Sequence, residues 1–235
     1  VILTGGLGTR LSEETHSIPK PMVEIGGKPI LWHIMKIYAA QGFNDFIICG
    51  GYKQEIIKEW VHNSFPDLYQ TVKNIRVIDT GETTLTGGRI KEIEHYVNDD
   101  TFMLTYGDGV ANINITELLE FHKSQKTVAT VTAVQPSGRF GGLNIDGNFV
   151  REFNEKPKGD GIWINGGFFV CEPEIFSYIG GNCVFEADPI NHLVADRELS
   201  CYKHHGEWKC CDTMKDLNDL NKLWDLKEAF WKIWG

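Results

Sequence analysis

Short apolar runs and amphipathic stretches alternate along the first half of the chain. Val1-Ile2-Leu3 is an apolar run that stops at glycines, the pattern of a buried strand. Residues 29–40 place apolar side chains at helical spacing, with Pro29 at the start and Gly42 just past the end, and predict a helix. The same reading gives strands at 46–49, 75–78, 102–105 and 128–134, and helices at 54–63, 88–97 and 116–124. Short apolar strands that alternate with helices predict a parallel sheet with right-handed crossovers. The second half changes character. Residues 141–153 alternate around Asp146-Gly147, which predicts a hairpin. Residues 163–171 form a further strand broken by Gly166-Gly167, residues 173–179 and 188–195 read as helices, residues 199–204 and those up to 211 as strands, and residues 215–227 as a last helix.

The expected fold is therefore α/β: a Rossmann-like mixed, mainly parallel sheet flanked by helices, with antiparallel additions that form a lobe of their own on the same sheet. With 235 residues, 42% of them hydrophobic, the chain suffices for one well-buried core, and it reads as a single domain, 1–135 followed by 136–235. A net charge of -9 argues against nucleic-acid partners and anionic membranes. An anionic substrate would then need a local basic pocket, for which Arg10, Lys20, Arg89 and Lys156 are available. No stretch approaches the roughly 20 apolar residues of a membrane span, and no signal peptide is visible, so a cytoplasmic protein is expected. None of the six cysteines forms a C-x-x-C, and Cys49 and Cys171 lie in apolar runs, which points to reduced, mostly buried thiols. His204, His205, Cys210 and Cys211 are close in sequence but lack zinc-ligand spacing. The seven tryptophans are expected in the core or an interface.

The candidate chemistry starts where the first strand ends. Gly5-Gly6 and Gly8-Thr9-Arg10 make a turn that exposes backbone N–H groups, a geometry suited to a polyphosphate, and Arg10 and Lys20 add cations. The spacing is neither that of a P-loop nor G-x-G-x-x-G, and alone it equally describes a tight turn with no ligand. Asp108, flanked by glycines after the strand at 102–105, is open to a metal, or is a turn residue. Asp212 precedes the last helix, where it could serve as an N-cap. Thr86-Gly87-Gly88-Arg89 opens a helix and would turn its N–H groups and Arg89 toward a phosphate or base, unless it is a simple cap. Glu155-Lys156-Pro157 alone could be a solvated turn, and Asn165-Gly166-Gly167 interrupts a strand, as happens where a ligand approaches closely.

A strand, then G-G-x-G-T-R-L, then P-K-P-M at this separation resembles the sugar-1-phosphate nucleotidylyltransferases. The resemblance implies that residues 1–135 bind nucleotide and 136–235 sugar. It implies nucleotide contacts from Leu3, Thr4, Gly5, Gly6, Leu7, Gly8, Thr9, Arg10, Lys20, Thr83, Gly88, Arg89 and Gly107, and sugar contacts from Gly141, Glu155, Lys156, Asn165 and Gly166. Arg10, Lys20 and Lys156 would act in catalysis, and Asp108 and Asp212 would hold Mg²⁺. The form D-T-G-x-x-x-x-T-G-G-R at 79–89, with S-E-E-T after the first loop, resembles the cytidylyl-transferring branch, which implies CTP and glucose 1-phosphate as substrates. A thymidylyl, uridylyl or guanylyl donor, another sugar, or a non-catalytic nucleotide-sugar sensor remain as alternatives. The family's arm between Asn63 and Ile75 is longer than the stretch present here; in the family it joins subunits, and a homo-oligomer is expected.

Overall fold

The apolar run at the start of the chain lies near the middle of a seven-stranded sheet. The computed structural model describes residues 1–6, 17–63, 71–97, 100–136, 142–146, 149–154 and 162–235, with backbone alone at 142–146 and 152–154. In chain order the strands are β1 (Ile2–Leu3), β2 (Glu24–Ile25), β3 (Lys28–Pro29), β4 (Asp45–Gly50), β5 (Asn74–Asp79), β6 (Phe102–Tyr106), β7 (Gly109–Ala111), β8 (Ala129–Val134), β9 (Gly142–Asp146), β10 (Phe149–Asn154), β11 (Ile164–Cys171), β12 (Leu199–His204) and β13 (Trp208–Cys210). The helices are α1 (Ile30–Ala39), α2 (Gln54–Asn63), α3 (Thr86–Glu92), α4 (Ile115–Gln125), α5 (Asp188–Ala195) and α6 (Met214–Asp225).

The main sheet runs in the order β12-β8-β11-β6-β1-β4-β5. Strand β1 pairs parallel with β4 and β6, β4 with β5, and β8 with β12. Strand β11 runs antiparallel to both β6 and β8. One reversed strand has a geometric consequence: its amino end lies on the edge where its neighbours' carboxyl ends emerge. That edge therefore collects Thr4-Gly5-Gly6, Thr80-Gly81, Gly107-Asp108 and Asn165-Gly166. Ligands in open α/β sheets bind outside this edge. The ladder between β11 and β8 slips between Asn165 and Phe169, where Gly167 takes φ 80°, a conformation that glycine adopts without strain.

The additions in the second half differ in part from the expected ones. Strand β12 joins the main sheet in parallel, β9 and β10 form a two-stranded antiparallel sheet of their own, and β13 pairs with β7 away from the main sheet. Strand β7 begins immediately after Asp108, so the chain leaves the main sheet at that residue. The helix expected at 88–97 starts earlier and ends earlier, at Glu92, with a 3-10 turn over Glu94–Tyr96. Its start is set from outside: the Phe185 N–H donates to Thr86 Oγ1 at 2.8 Å and the Gly87 N–H to the Cys183 carbonyl at 2.8 Å. Pro173–Tyr178 is likewise a 3-10 turn.

Period-two alternation splits the core between the two faces of the sheet. Ile2, Ile48, Phe168 and Val170 pack with α1, α2 and α6, whereas Leu3, Cys49, Phe169 and Cys171 pack with α3, the 173–178 turn and α5. Helix α1 is apolar nearly all round and buried accordingly. Its one imidazole, His33, is fully buried; Trp231 Nε1 donates to Nδ1 at 3.2 Å, so the proton sits on Nε2, 2.9 Å from the Ile25 carbonyl. Trp231 is also fully buried, between Trp224 and His33, and pins the carboxyl-terminal segment to α1. Cys49, Cys171 and Cys211 are buried, Cys183 and Cys210 half-buried and Cys201 exposed, and all six are free thiols. Among the described residues, no helix is long and apolar enough to cross a membrane.

Candidate active site

Lys20 sits at the head of a 3-10 turn, Lys20–Met22, which follows the extended Pro19. The Met22 N–H donates to the Pro19 carbonyl at 2.8 Å, and the buried Pro21 and Met22 side chains anchor the turn. The anchored turn aims the ammonium at two carboxylates. Nζ lies 2.6 Å from Asp108 Oδ2 and 2.6 Å from Asp212 Oδ1. Asp108 emerges from the end of β6. Asp212 is brought opposite by the β7–β13 pairing and by the Cys211 N–H, which donates to the Asp108 carbonyl at 2.8 Å. The cap of α6 is not Asp212 but Thr213, in a capping box with Asp216, and this leaves the Asp212 carboxylate to the site. Lys20 and Asp212 are only 14% and 16% exposed. Burial alone would favour the neutral amine, but Asp108 and Asp212 outweigh it and hold the Lys20 pKa above its ordinary value.

Beside this cluster lies a cavity of about 410 Å³. Of the residues expected at a nucleotide, Leu3, Thr4, Gly5, Gly6, Lys20, Thr83, Arg89 and Gly107 line it, together with Asp108. Gly107 leaves no room for a side chain: a Cβ there would lie 2.8 Å from the Leu3 carbonyl oxygen. Leu7, Gly8, Thr9, Arg10, Gly141, Glu155 and Lys156 lie outside the described residues.

Three of the expected residues have structural roles. Arg89 is 4% exposed, and its guanidinium serves the protein itself. Nη1 donates to the Gly50 carbonyl at 3.0 Å, to Thr80 Oγ1 at 2.8 Å and to the Gly81 carbonyl at 2.7 Å; Nη2 donates to Gly5 at 3.0 Å and Glu82 at 3.2 Å. One side chain thus ties the glycine turn after β1 to the ends of β4 and β5. Gly88 does not line the cavity: the N–H groups of Gly87 and Gly88 both point to the Cys183 carbonyl, and a Cβ at Gly88 would lie 2.7 Å from Asn182 Oδ1. These glycines permit close packing and do not offer an anion site. Gly166 is similar. Its carbonyl accepts from Trp208 Nε1 at 2.8 Å, and a Cβ would meet Val134 Cγ1 at 2.6 Å.

Asn165 belongs to a hydrogen-bonded chain at the other wall. Its Oδ1 accepts from the Gly167 N–H at 2.9 Å and its Nδ2 donates to the Tyr106 hydroxyl at 3.1 Å. Tyr106 in turn donates to Glu186 Oε1, and Thr86 Oγ1 donates to Glu186 Oε2 at 2.7 Å. Burial, with the Glu186 carboxylate next, pushes the Tyr106 hydroxyl far above its ordinary pKa. Tyr106, Glu186, Leu85 and Val184 all line the cavity, and none was singled out from the sequence. Tyr106 had a signal in its place two residues before Asp108; Glu186 had none.

Asp108 and Asp212 form a donor set suited to Mg²⁺, which takes one or two carboxylates and completes its shell with phosphate oxygens and water. Burial, reinforced at Cys210 by the Asp212 and Asp108 charges, pushes the Cys210 thiol up to about 12. Burial likewise holds Cys211 at about 12, so the set stays one of hard oxygens. Lys20 already places a cation where the carboxylates converge. The zinc alternative finds no support among the described residues, where no three His, Cys, Asp or Glu side chains come together as a metal site.

A fold with this sheet and this cluster is that of the nucleotidyl transferases, and the chain belongs to the nucleotidyl transferase family, whose model matches residues 1–228. Among individual proteins, the glucose-1-phosphate cytidylyltransferase of Salmonella typhi is 48% identical over an alignment 253 positions long, covering 100% of this chain and 98% of its own. The enzyme of the same name from Salmonella typhimurium matches at the same identity and coverage. A solved structure, HddC from Yersinia pseudotuberculosis, superposes with a TM-score of 0.72 at 27% identity, covering 95% of this chain and 97% of that one.

Proposed function

We propose that this chain is a glucose-1-phosphate cytidylyltransferase: it transfers the cytidylyl group of CTP to glucose 1-phosphate, giving CDP-glucose and pyrophosphate, with Mg²⁺ as cofactor. The observation that carries the reading is the meeting of Lys20, Asp108 and Asp212 beside the glycine turn, in a chain 48% identical end to end to enzymes of that name. The sugar phosphate is mostly dianionic near pH 7, since such second pKa values are about 6, and it attacks the α-phosphorus without a general base. Alignment and charge neutralisation are then the protein's work. The backbone from Leu3 to Gly6 and at Gly107 borders the nucleotide, and Arg89 holds that turn in shape. Lys20 supplies positive charge where negative charge builds up at the phosphates. Asp108 and Asp212 would hold the Mg²⁺, which supplies neutralisation of phosphate oxygens when bound. Arg10, Lys156 and Glu155 keep the roles that the family resemblance implies. A nucleotide-sugar sensor would have no need of two carboxylates and a lysine gathered in this way. A homo-oligomer and a cytoplasmic location belong to the same reading; light scattering in solution checks the first.

Base choice is the sharpest part. Cytosine offers an N4 donor where uracil and thymine carry an oxygen, so a site that pairs N4 sets an acceptor against O4 of the wrong base. A site built to hydrogen-bond a substrate group rejects an analogue lacking it by up to ~10⁴–10⁵. CTP should therefore exceed UTP and dTTP by at least about a hundredfold in kcat/KM with glucose 1-phosphate, or ~2.7 kcal/mol. Pyrophosphate release from each nucleoside triphosphate crossed with a set of sugar 1-phosphates measures this. Equal use of dTTP or UTP would leave only the broader nucleotidyl transfer.

A further inference from the structure

The chain from Gly167 through Asn165 and Tyr106 to Glu186 has a direction that chemistry fixes at both ends. A backbone N–H only donates, so the atom of Asn165 that faces Gly167 is the carbonyl oxygen, and Nδ2 faces Tyr106. A carboxylate only accepts, so the Tyr106 proton points to Glu186, and the Tyr106 oxygen is left to accept from Asn165. Asn165 then has one N–H remaining, with no partner among the described residues. Tyr106 and Glu186 line the cavity, and Asn165 is exposed beside it.

Resting on the function proposed above, we propose that Glu186 is a positioning residue that sets sugar specificity: its carboxylate polarises the Glu186–Tyr106–Asn165 chain so that Asn165 meets one ring hydroxyl of the sugar phosphate as a donor. Without the carboxylate the Tyr106 proton loses its acceptor and the hydroxyl is free to turn toward Asn165. The Gly167 N–H still holds Asn165 Oδ1 in place, but the Tyr106 oxygen no longer holds Nδ2, so the donor facing the sugar loses its fixed position. In this proposal the sugar contact is Asn165's, so the effect of Glu186 travels through Tyr106. The second carboxylate oxygen holds Thr86, so the same side chain also joins this wall to the start of α3.

The test compares the wild type with Glu186→Ala, Glu186→Gln, Tyr106→Phe and the double Glu186→Ala/Tyr106→Phe. KM for each substrate, thermal stability and kcat/KM are measured with glucose 1-phosphate and with monodeoxy analogues that each lack one hydroxyl. Glu186→Ala and Tyr106→Phe should each raise KM for the sugar phosphate by about tenfold, the scale of one hydrogen bond, with much less change for CTP. Both should lose the wild type's discrimination against the same single deoxy sugar. The double variant should be little worse than either single one, because the two residues act in series. Glu186→Gln retains one acceptor and should fall between. The inference is overturned if Glu186→Ala keeps the wild-type deoxy profile, or if both KM values rise together with a fall in stability, as a merely structural role would produce. A wild type that turns over none of the substrate pairs would instead overturn the proposed function, and this inference with it.

Discussion

Removing the Lys20 ammonium would take away the cation that the Asp108 and Asp212 carboxylates share. Lys20→Ala should lower turnover by roughly 10²–10³, the scale of one lost electrostatic contact in a transition state. It should also make the metal-free protein less stable and increase the rise in Tm that added Mg²⁺ produces, as thermal unfolding with and without Mg²⁺ would show. Wild-type turnover in this variant would remove Lys20 from the mechanism. Arg89 calls for a different measurement. Arg89→Met strands several buried acceptors at once; each costs ~1–3 kcal/mol, softened where another donor remains, so a loss of about 3 kcal/mol in urea unfolding is expected. Lys20 and Asp108 could be picked out from the sequence because prolines and glycines flag their local geometry, whereas Asp212 has neither beside it and was reached through the family resemblance. Arg89 was picked out as a nucleotide contact, and it lines the cavity, but its hold on the glycine turn was not read from the sequence. Apart from the Thr80 hydroxyl, its acceptors are backbone carbonyls from three segments, and carbonyls leave no trace in residue type. Glu186 was missed for a related reason: its contact with Tyr106 spans 80 positions, with no local pattern at either end.

Helix α6 shows how one cap serves both stability and chemistry. Thr213 Oγ1 accepts from the Asp216 N–H, and the Asp216 carboxylate accepts from the N–H groups of Thr213 at 2.9 Å and Asp212 at 3.3 Å. Thr213→Ala should cost about 1 kcal/mol, as lost caps do. By loosening the backbone of the neighbouring Asp212 it should also raise the Mg²⁺ concentration needed for half-maximal turnover; an unchanged Mg²⁺ dependence would separate the cap from the site. At this scale much of the fold was legible. Helices α2 and α5 and strand β12 keep the boundaries that periodicity implies, because burial on one face is written locally. Strands β2, β3 and β7 were missed. Two or three residues hold no period, and β7 exists only because β13 pairs with it from about a hundred positions away. The early start of α3 depends in the same way on Cys183 and Phe185.

For the molecule as a whole, His33 makes stability depend on pH. Burial lowers its pKa from 6.5 to about 4, against the hydrogen bonds that favour its charged form. The unfolded chain therefore binds the proton more readily, and the full contribution is present above pH ~6.5 and is lost as pH falls toward ~4. The shift corresponds to about 3 kcal/mol, at 1.36 kcal/mol per pKa unit. Urea midpoints should fall across this window, and the slope should flatten in His33→Gln, which keeps a polar side chain but does not titrate. The same tryptophan that accompanies His33 stands 198 positions from it, and Lys20 stands 88 and 192 positions from its two carboxylates. Contacts so distant along the chain form only after long loops have closed. A polypeptide that has folded β1, β4 and β5 around α1 and α2 has a hydrophobic core but nothing that can gather two carboxylates about a lysine. Competence in this protein therefore arrives late: the cluster of Lys20, Asp108 and Asp212 closes only when β13 has paired with β7, so a folding intermediate without that pairing has a sheet without its site.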